Sequence, residues 1–344
     1  MKKGNNHTPM SKKLRLPRIV PRLGIATLAL GASLGIAACG GSGSTLDLVA
    51  YSTPQQAYEQ KLEPGFKSTP DGKGVDFSNS FGASGDQSRA VESGQPADVV
   101  EFSLEPDMTR LVDAGIVSAD WNRNPYRGIV TDSVVTLMVR PGNPKQITSF
   151  DDLARSDVDV IDPNPATSGG ARWNIMAIYG SQINEGRSPA QAQAFVKRVI
   201  ANTSVQGSSA RDSLNTFSSG KGDVLVGYEN DAIQAQKEGI KLDYVTPAST
   251  ILIENPIAVT KNAPAEAQRF VNFLYSEQGQ QDFADAGYRP VVKSVFEKNA
   301  GRYPVPSKLF TIDQFGGWAK VSDPFFGDNG WVTQAEKSLG NPTG

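Results

Sequence analysis

Four serines stand at turns where a β-rich run hands over to a helical one: Ser52 in YSTPQQAYE, Ser84 in GASGDQSRA, Ser168 in TSGGARWN and Ser209 in SSARDSLNTF. A serine at such a place reads as a helix N-cap, and the helix behind it begins with backbone N–H groups that no intrahelical carbonyl satisfies. Capping alone explains any single one of these turns. Four in one chain, each on the strand-to-helix side where doubly wound sheets form their ligand crevice, predict an anion site built from helix N-termini. A doubly charged tetrahedral anion needs several donors arriving from different directions. Charge-assisted hydrogen bonds contribute roughly 1.5 to 3 kcal/mol each, so about six neutral donors exceed the roughly 8 kcal/mol of micromolar binding before ordering costs. The glycines after Ser84 and Ser168 let backbone come close to the ligand.

Tyr228 ends the run GDVLVGY, directly before Glu229 and Asn230, where a strand would meet the crevice. Its hydroxyl is a candidate donor, with an ordinary core-edge tyrosine as the alternative. Arg172 and Arg211 fall in the first turns of their helices, and structural ion pairing is expected of both. Asp86 and Glu229 are the carboxylates beside the proposed donors. A site selective for phosphate would need a carboxylate to accept a proton, whereas sulfate has none to give. Asp86, in a first helical turn, is expected to face solvent.

Catalytic chemistry is narrowly bounded. The single histidine, His7, and the single cysteine, Cys39, both lie near the N-terminus. Without them the body of the chain has no Ser-His-Asp or Cys-His nucleophile system, no zinc site built on His or Cys, and no disulfide. A hydrolase would have to rely on acid pairs such as Asp151-Asp152 or Asp157/Asp159, which a helix start and a strand approach explain as solvated faces. The reading is therefore a binding protein, with no metal and no cofactor. An adhesion or signalling protein that has lost its ligand is a further alternative, against which the four retained turns argue.

Residues 1–38 read as a signal peptide: seven basic residues and no acidic one precede the apolar stretch from Leu23 to Ala38. That stretch holds 16 residues, short of the roughly 20 a spanning helix needs. Ile36-Ala37-Ala38-Cys39 resembles the bacterial lipobox, so Cys39 is expected to be lipidated and to become the first residue, with residues 39–45 as a flexible Gly/Ser tether. Removal of the leader leaves 27 basic residues against 36 acidic ones, a net charge of about −9. That charge argues against nucleic acid, and leaves the lipid as the only attachment to a membrane.

Positioning the four turns requires an α/β chain. Strands are expected at LDLVAY, GVDFSNS, ADVVEF, VDVI, SVQ and DVLVGY, with helices between them, including Pro54 to Phe66 and Pro189 to Ile200. Two long β-rich runs, Ile129 to Arg140 and Thr250 to Thr260, are expected to cross between lobes, and Pro264 to Tyr275 and Asp313 to Val321 to be helical. The expected architecture is two lobes joined by two crossing strands, 46–135 with 256–344 forming the first and 136–255 the second, and a ligand cleft between them.

The segment PNPATSGGARWN, Pro163 to Asn174, closely resembles the signature of bacterial sulfate- and thiosulfate-binding proteins of ABC importers. SFGASGDQSRAV, GKGDVLVGYENDAI, YVTPASTILIENP, FLYSEQGQQDFA, GYRP and LFTIDQFGGWAKV follow in the family's order across the chain. The resemblance implies a periplasmic-binding-protein type II fold whose lobes close on a dehydrated sulfate held by backbone N–H groups, serine hydroxyls and one aromatic donor. It assigns the contacts to Ser52, Ser84, Ser168, Gly169, Gly170, Ala210 and Tyr228, with Ala210 beside the capping Ser209. It also implies permease subunits of a sulfate importer as partners, a single copy as the working form, and a place on the outer face of the cell membrane. Phosphate and molybdate are the alternative oxyanions. Enteric members carry Asp where Ser52 stands, Lys where Asp86 stands and Trp where Tyr228 stands, which puts the sulfate-over-thiosulfate preference on Tyr228.

Overall fold

The computed structural model describes residues 44–343. The leader at 1–38, Cys39 and most of the tether lie outside the described residues. Strands β1 (Ser44–Tyr51), β2 (Val75–Gly82), β3 (Val99–Glu101), β4 (Ile129–Val139), β5 (Val160–Pro163), β6 (Thr203–Gly207), β7 (Val224–Tyr228), β8 (Asp243–Val245) and β9 (Ser249–Val259) carry the architecture. Their main path runs β2-β1-β3-β9-β4-β7-β5-β6. Parallel pairing joins β1 to β2 and β3, and β5 to β6 and β7, as short strands alternating with helices require.

The two long β-branched runs are the shared strands. The first part of β4 pairs antiparallel with β9, through Asp132↔Glu254 and Val134↔Leu252. From Val135 onward β4 pairs instead with β7, through Val135↔Tyr228 to Val139↔Val224. The far end of β9 pairs with β3, Val99 opposite Val259. A strand that changes partners midway links two lobes without a loop, and the buried faces of β4 explain its run of valines.

The predicted elements are present with small shifts at their ends, but two expectations need correction. Asp313 to Val321 is not one helix. A 3₁₀ turn at Ile312–Phe315 and a short helix at Trp318–Val321 are separated by Gly316 and Gly317, whose φ values of 85° and 77° no helix tolerates. The boundary 256–344 also groups the C-terminal segment with the wrong core. Phe310, Trp318, Val321, Val332 and Ala335 share one buried cluster with Trp173, Tyr179 and Phe195. Trp318 packs edge-on against Trp173 at 4.7 Å between ring centroids. Apolar burial, not chain order, decides this membership.

The first lobe is filled by Leu46, Leu48, Tyr58, Phe66, Phe270 and Phe283. Smaller clusters around Phe102 and Met108, and around Phe217 and Leu225, cover the remaining sheet faces.

Candidate functional site

Ser168 and Ser209 are the caps expected of them. Ser168 Oγ accepts from the Ala171 amide at 3.3 Å and opens the helix Gly169–Asn184. Ser209 Oγ accepts from the Asp212 amide at 3.1 Å and opens Ala210–Ser218. Thr167 Oγ1 donates to the Ser208 carbonyl at 2.7 Å, which holds the two helix starts together.

Ser52 and Ser84 are not caps. The turn after β1 enters its helix through Pro54, and Ala83 precedes the helix Ser84–Glu92. Ser84 lies one residue too far inside for its hydroxyl to serve the first amides. Its hydroxyl donates to Asp107 Oδ2 at 2.6 Å and accepts from the Ser103 amide at 2.9 Å. What remains of Ser84 for an anion is its first-turn N–H.

Ser103 is the centre that sequence reasoning missed. It follows β3 and precedes the helix Glu105–Asp113, so it has the same strand-to-helix placing as the four serines singled out. Its amide reaches Ser84, its carbonyl accepts from Trp173 Nε1 at 2.7 Å and from Asn255 Nδ2 at 3.1 Å, and its hydroxyl lies 2.5 Å from the Tyr228 hydroxyl. Both Ser103 and Tyr228 are 1% exposed, which makes that contact a dry one. Burial pushes the Tyr228 phenol well above its ordinary pKa, against the Ser103 hydroxyl, so the ring stays protonated.

Gly169 and Gly170 sit on this centre. A Cβ on Gly169 would stand 2.4 Å from Leu104 Cδ2 and 2.8 Å from Ser103 Cβ, so only glycine brings the helix start so close. A Cβ on Gly170 would meet Tyr228 Cε1 at 3.5 Å. Ser84, Ser168, Gly169, Gly170 and Tyr228 are thereby gathered around Ser103. Ser52 and Ala210 are tied in less directly. The ring of Tyr51, next to Ser52, lies 6.4 Å from that of Tyr228, while Thr53 donates to Asp231 at 3.5 Å. Burial pushes Asp231 up to about 6 while Arg211, the neighbour of Ala210, opposes that shift.

Glu229 forms a buried two-point ion pair with Arg289 at 2.7 and 3.0 Å. Asp86 is exposed, as expected, and pairs with Arg89. The ion pairs expected of Arg172 and Arg211 are not made among the described residues. Arg172 donates from Nε to the Pro165 carbonyl at 2.9 Å and lies over the Phe326 ring, because its helix start faces backbone and an aromatic side chain instead of a carboxylate. Arg211 acts on Asp231 only at longer range. The acids considered for hydrolysis are local: Asp152 accepts from the Thr148 and Ser149 amides, and Asp157 pairs with Arg155. A wider groove of about 470 Å³ lies along the crossing strands, lined by Asp132, Glu254, Arg289, Leu252 and Phe296, and none of the four serine turns borders it.

Comparison with known proteins gives the family of the chain. A family described as bacterial extracellular solute-binding protein matches residues 46–289. A sulfate-binding protein of Synechococcus elongatus is 37% identical over 91% of this chain and 95% of its own length. A thiosulfate-binding protein of Escherichia coli is 34% identical over 75% of this chain and 80% of its own. The solved structure of the sulfate-binding protein SubI from Mycobacterium tuberculosis superposes with a TM-score of 0.79 at 42% identity, covering 81% of this chain and 98% of that one. The fold of this chain is the two-lobed periplasmic-binding-protein architecture, and within it β4 and β9 pair as the crossing strands. The chain belongs to the bacterial extracellular solute-binding protein family.

Proposed function

We propose that this chain is the lipid-anchored, extracytoplasmic receptor of an ABC importer and that its cargo is sulfate, with thiosulfate as the nearest alternative. The observation that carries the ligand is the gathering of helix-start amides and one buried hydroxyl pair around Ser103, while Glu229 and Asp86 are each taken up by an arginine. Sulfate brings no proton of its own, so helix-start amides, which only donate, match it. The sulfate- and thiosulfate-binding relatives support the same choice.

The proposed ligand set is Ser52, Ser84, Ser168, Gly169, Gly170, Ala210 and Tyr228, with Ser84 contributing through its amide. Neutral donors hold a dianion without the desolvation cost of burying cations beside it. Cys39 is the proposed lipid attachment, the permease subunits are the proposed partners, and the receptor works as a single copy without cofactor or turnover. Lobe boundaries follow as 46–135 with residues 256 to about 307, against 136–255 with the segment from Lys308 onward.

Calorimetric titration of the unlipidated protein from residue 40 onward with sulfate, thiosulfate, phosphate and molybdate tests the reading. One sulfate per chain is the expected result. Tight phosphate binding without sulfate binding, or turnover of a sulfate ester, would overturn it.

A further inference from the structure

The loop that leads into the helix Gly169–Asn184 is built around Asn164, a buried residue. Its amide donates to the Gly207 carbonyl at 2.8 Å, its carbonyl accepts from the Ser168 amide at 2.9 Å, and its side-chain Oδ1 accepts from the Ala166 amide at 2.8 Å. Asn164 Nδ2 directs both of its protons outside the loop, one to Gln206 Oε1 and one to the Pro342 carbonyl, each at 3.0 Å. Gln206 in turn donates from Nε2 to both carboxylate oxygens of Glu336, at 2.9 and 3.1 Å, and Asn341 Nδ2 donates to the same carboxylate at 2.6 Å. Glu336 lies in the helix Trp331–Leu339 and is 2% exposed. Burial pushes its carboxyl up, and the hydrogen bonds from Asn341 and Gln206 act against that shift and favour the ionised form.

A carboxylate accepts and does not donate, so Glu336 fixes the direction of the whole relay. Gln206 must turn Nε2 toward it and Oε1 toward Asn164. Asn164 must then turn Nδ2 toward Gln206, which leaves Oδ1 for the Ala166 amide and closes the turn ahead of Ser168. The relay reaches the second helix start as well, because Gly207, held by the Asn164 amide, packs on the helix Ala210–Ser218, where a Cβ on it would stand 2.7 Å from the Ser213 amide nitrogen. We infer that Glu336 is a positioning residue for the anion site: through Gln206 and Asn164 it holds the loop 163–168 and aims the amides that open the helix at Gly169. This deepens the proposed function and rests on it, adding a residue that lies outside the proposed ligand set. An amide keeps a charge-assisted hydrogen bond only while it points at the anion from about 3 Å, so a loop free to shift loses affinity without losing a ligand.

The test is calorimetric titration with sulfate, beside urea unfolding, of the wild type, Gln206→Glu, Glu336→Gln and the variant carrying both changes. Gln206→Glu sets two carboxylates against each other and is expected to weaken sulfate binding by about tenfold, the factor that one lost charge-assisted hydrogen bond carries. Glu336→Gln puts a side chain that donates as well as accepts at the end of the relay and should weaken binding by about threefold. The exchange of both residues restores one carboxylate with donors on either side, and its affinity is expected to return to within about twofold of wild type. Single variants that lose unfolding free energy but bind sulfate as wild type does would make Glu336 a purely structural residue and overturn the inference. An exchange variant that binds no better than the weaker single variant also overturns it, since the direction of the relay would then not matter, and leaves the proposed function intact. If Gln206→Glu does not fold, Glu336→Gln decides: wild-type affinity overturns the inference, and a loss regained in the exchange variant supports it. Wild-type protein that binds no sulfate removes the proposed function itself, and this inference with it.

Discussion

The amide of Gly85 donates to the carbonyl of Thr167 at 3.0 Å, so the helix beginning at Ser84 is joined directly to the loop that leads into the helix beginning at Gly169. This one bond brings two positive helix ends to the same place, an arrangement that a bound dianion stabilises and that water screens when the cleft is open. A Cβ on Gly85 would stand 2.9 Å from the Thr167 carbonyl oxygen. Gly85→Ala is therefore expected to hold the two starts apart and to weaken sulfate binding by about tenfold or more, in line with an overpacking cost of roughly 1 to 3 kcal/mol. Titration calorimetry checks it, and an affinity equal to wild type would show that the contact is dispensable.

Gly169 lies closer still. Any side chain there meets Leu104 and Ser103, and a carboxylate adds a negative charge among the donors. Gly169→Asp should abolish binding at millimolar sulfate, and Gly169→Ala should weaken it by more than Gly85→Ala does. The order of the two alanine variants is the measurable point.

Ser84→Ala removes the hydroxyl between Asp107 and the Ser103 amide. Both groups are then buried without that partner, at a cost of about 1 to 3 kcal/mol in unfolding free energy. Urea unfolding should show this loss. Sulfate affinity should fall with it, since Ser103 is no longer held in place.

Glu229 and Arg289 form a buried pair at 2.7 Å between the helix after β7 and the segment 289–290 alongside β4. Glu229→Gln leaves the guanidinium buried without its counter-charge and is expected to cost about 3 kcal/mol of stability. The anion site does not use this pair, so sulfate affinity of the folded fraction should stay within about twofold by the additivity of separate sites.

Stability should also depend on pH in a defined direction. Burial, and after it the Glu254 carboxylate on the paired strand, pushes Asp132 up to about 8. Burial likewise pushes Glu101 up to about 8, against a hydrogen bond donated by the Tyr58 hydroxyl. Both groups bind a proton more tightly folded than unfolded, so the unfolding free energy should fall as pH rises from about 4 to about 8 and level off above that. Thermal unfolding across this range reads the slope. Asp132→Asn should flatten part of it, and a slope that does not change in that variant would contradict the assignment.

Much of the fold was legible in the sequence because its signals are local. The β-branched runs predicted β4 and β9 as long strands, and Pro, Gly and Ser marked the turns between elements. The helix at 313–321 failed because Gly316 and Gly317 take left-handed conformations that the apolar pattern around them conceals. The C-terminal segment was assigned by chain order, whereas aromatic packing of Trp318 against Trp173 places it with the other core.

The site divides along the same line. Sequence alone determined the helix starts at Gly169 and Ala210 and their two serine caps, since each depends on a few adjacent residues. Only the tertiary structure decided which hydroxyls are free. Ser84 is committed to Asp107, 23 residues away, and Ser103 meets Tyr228 across 125 residues of chain. A hydrogen bond forms where folding brings a donor and an acceptor to within about 3 Å, and no local pattern encodes that meeting.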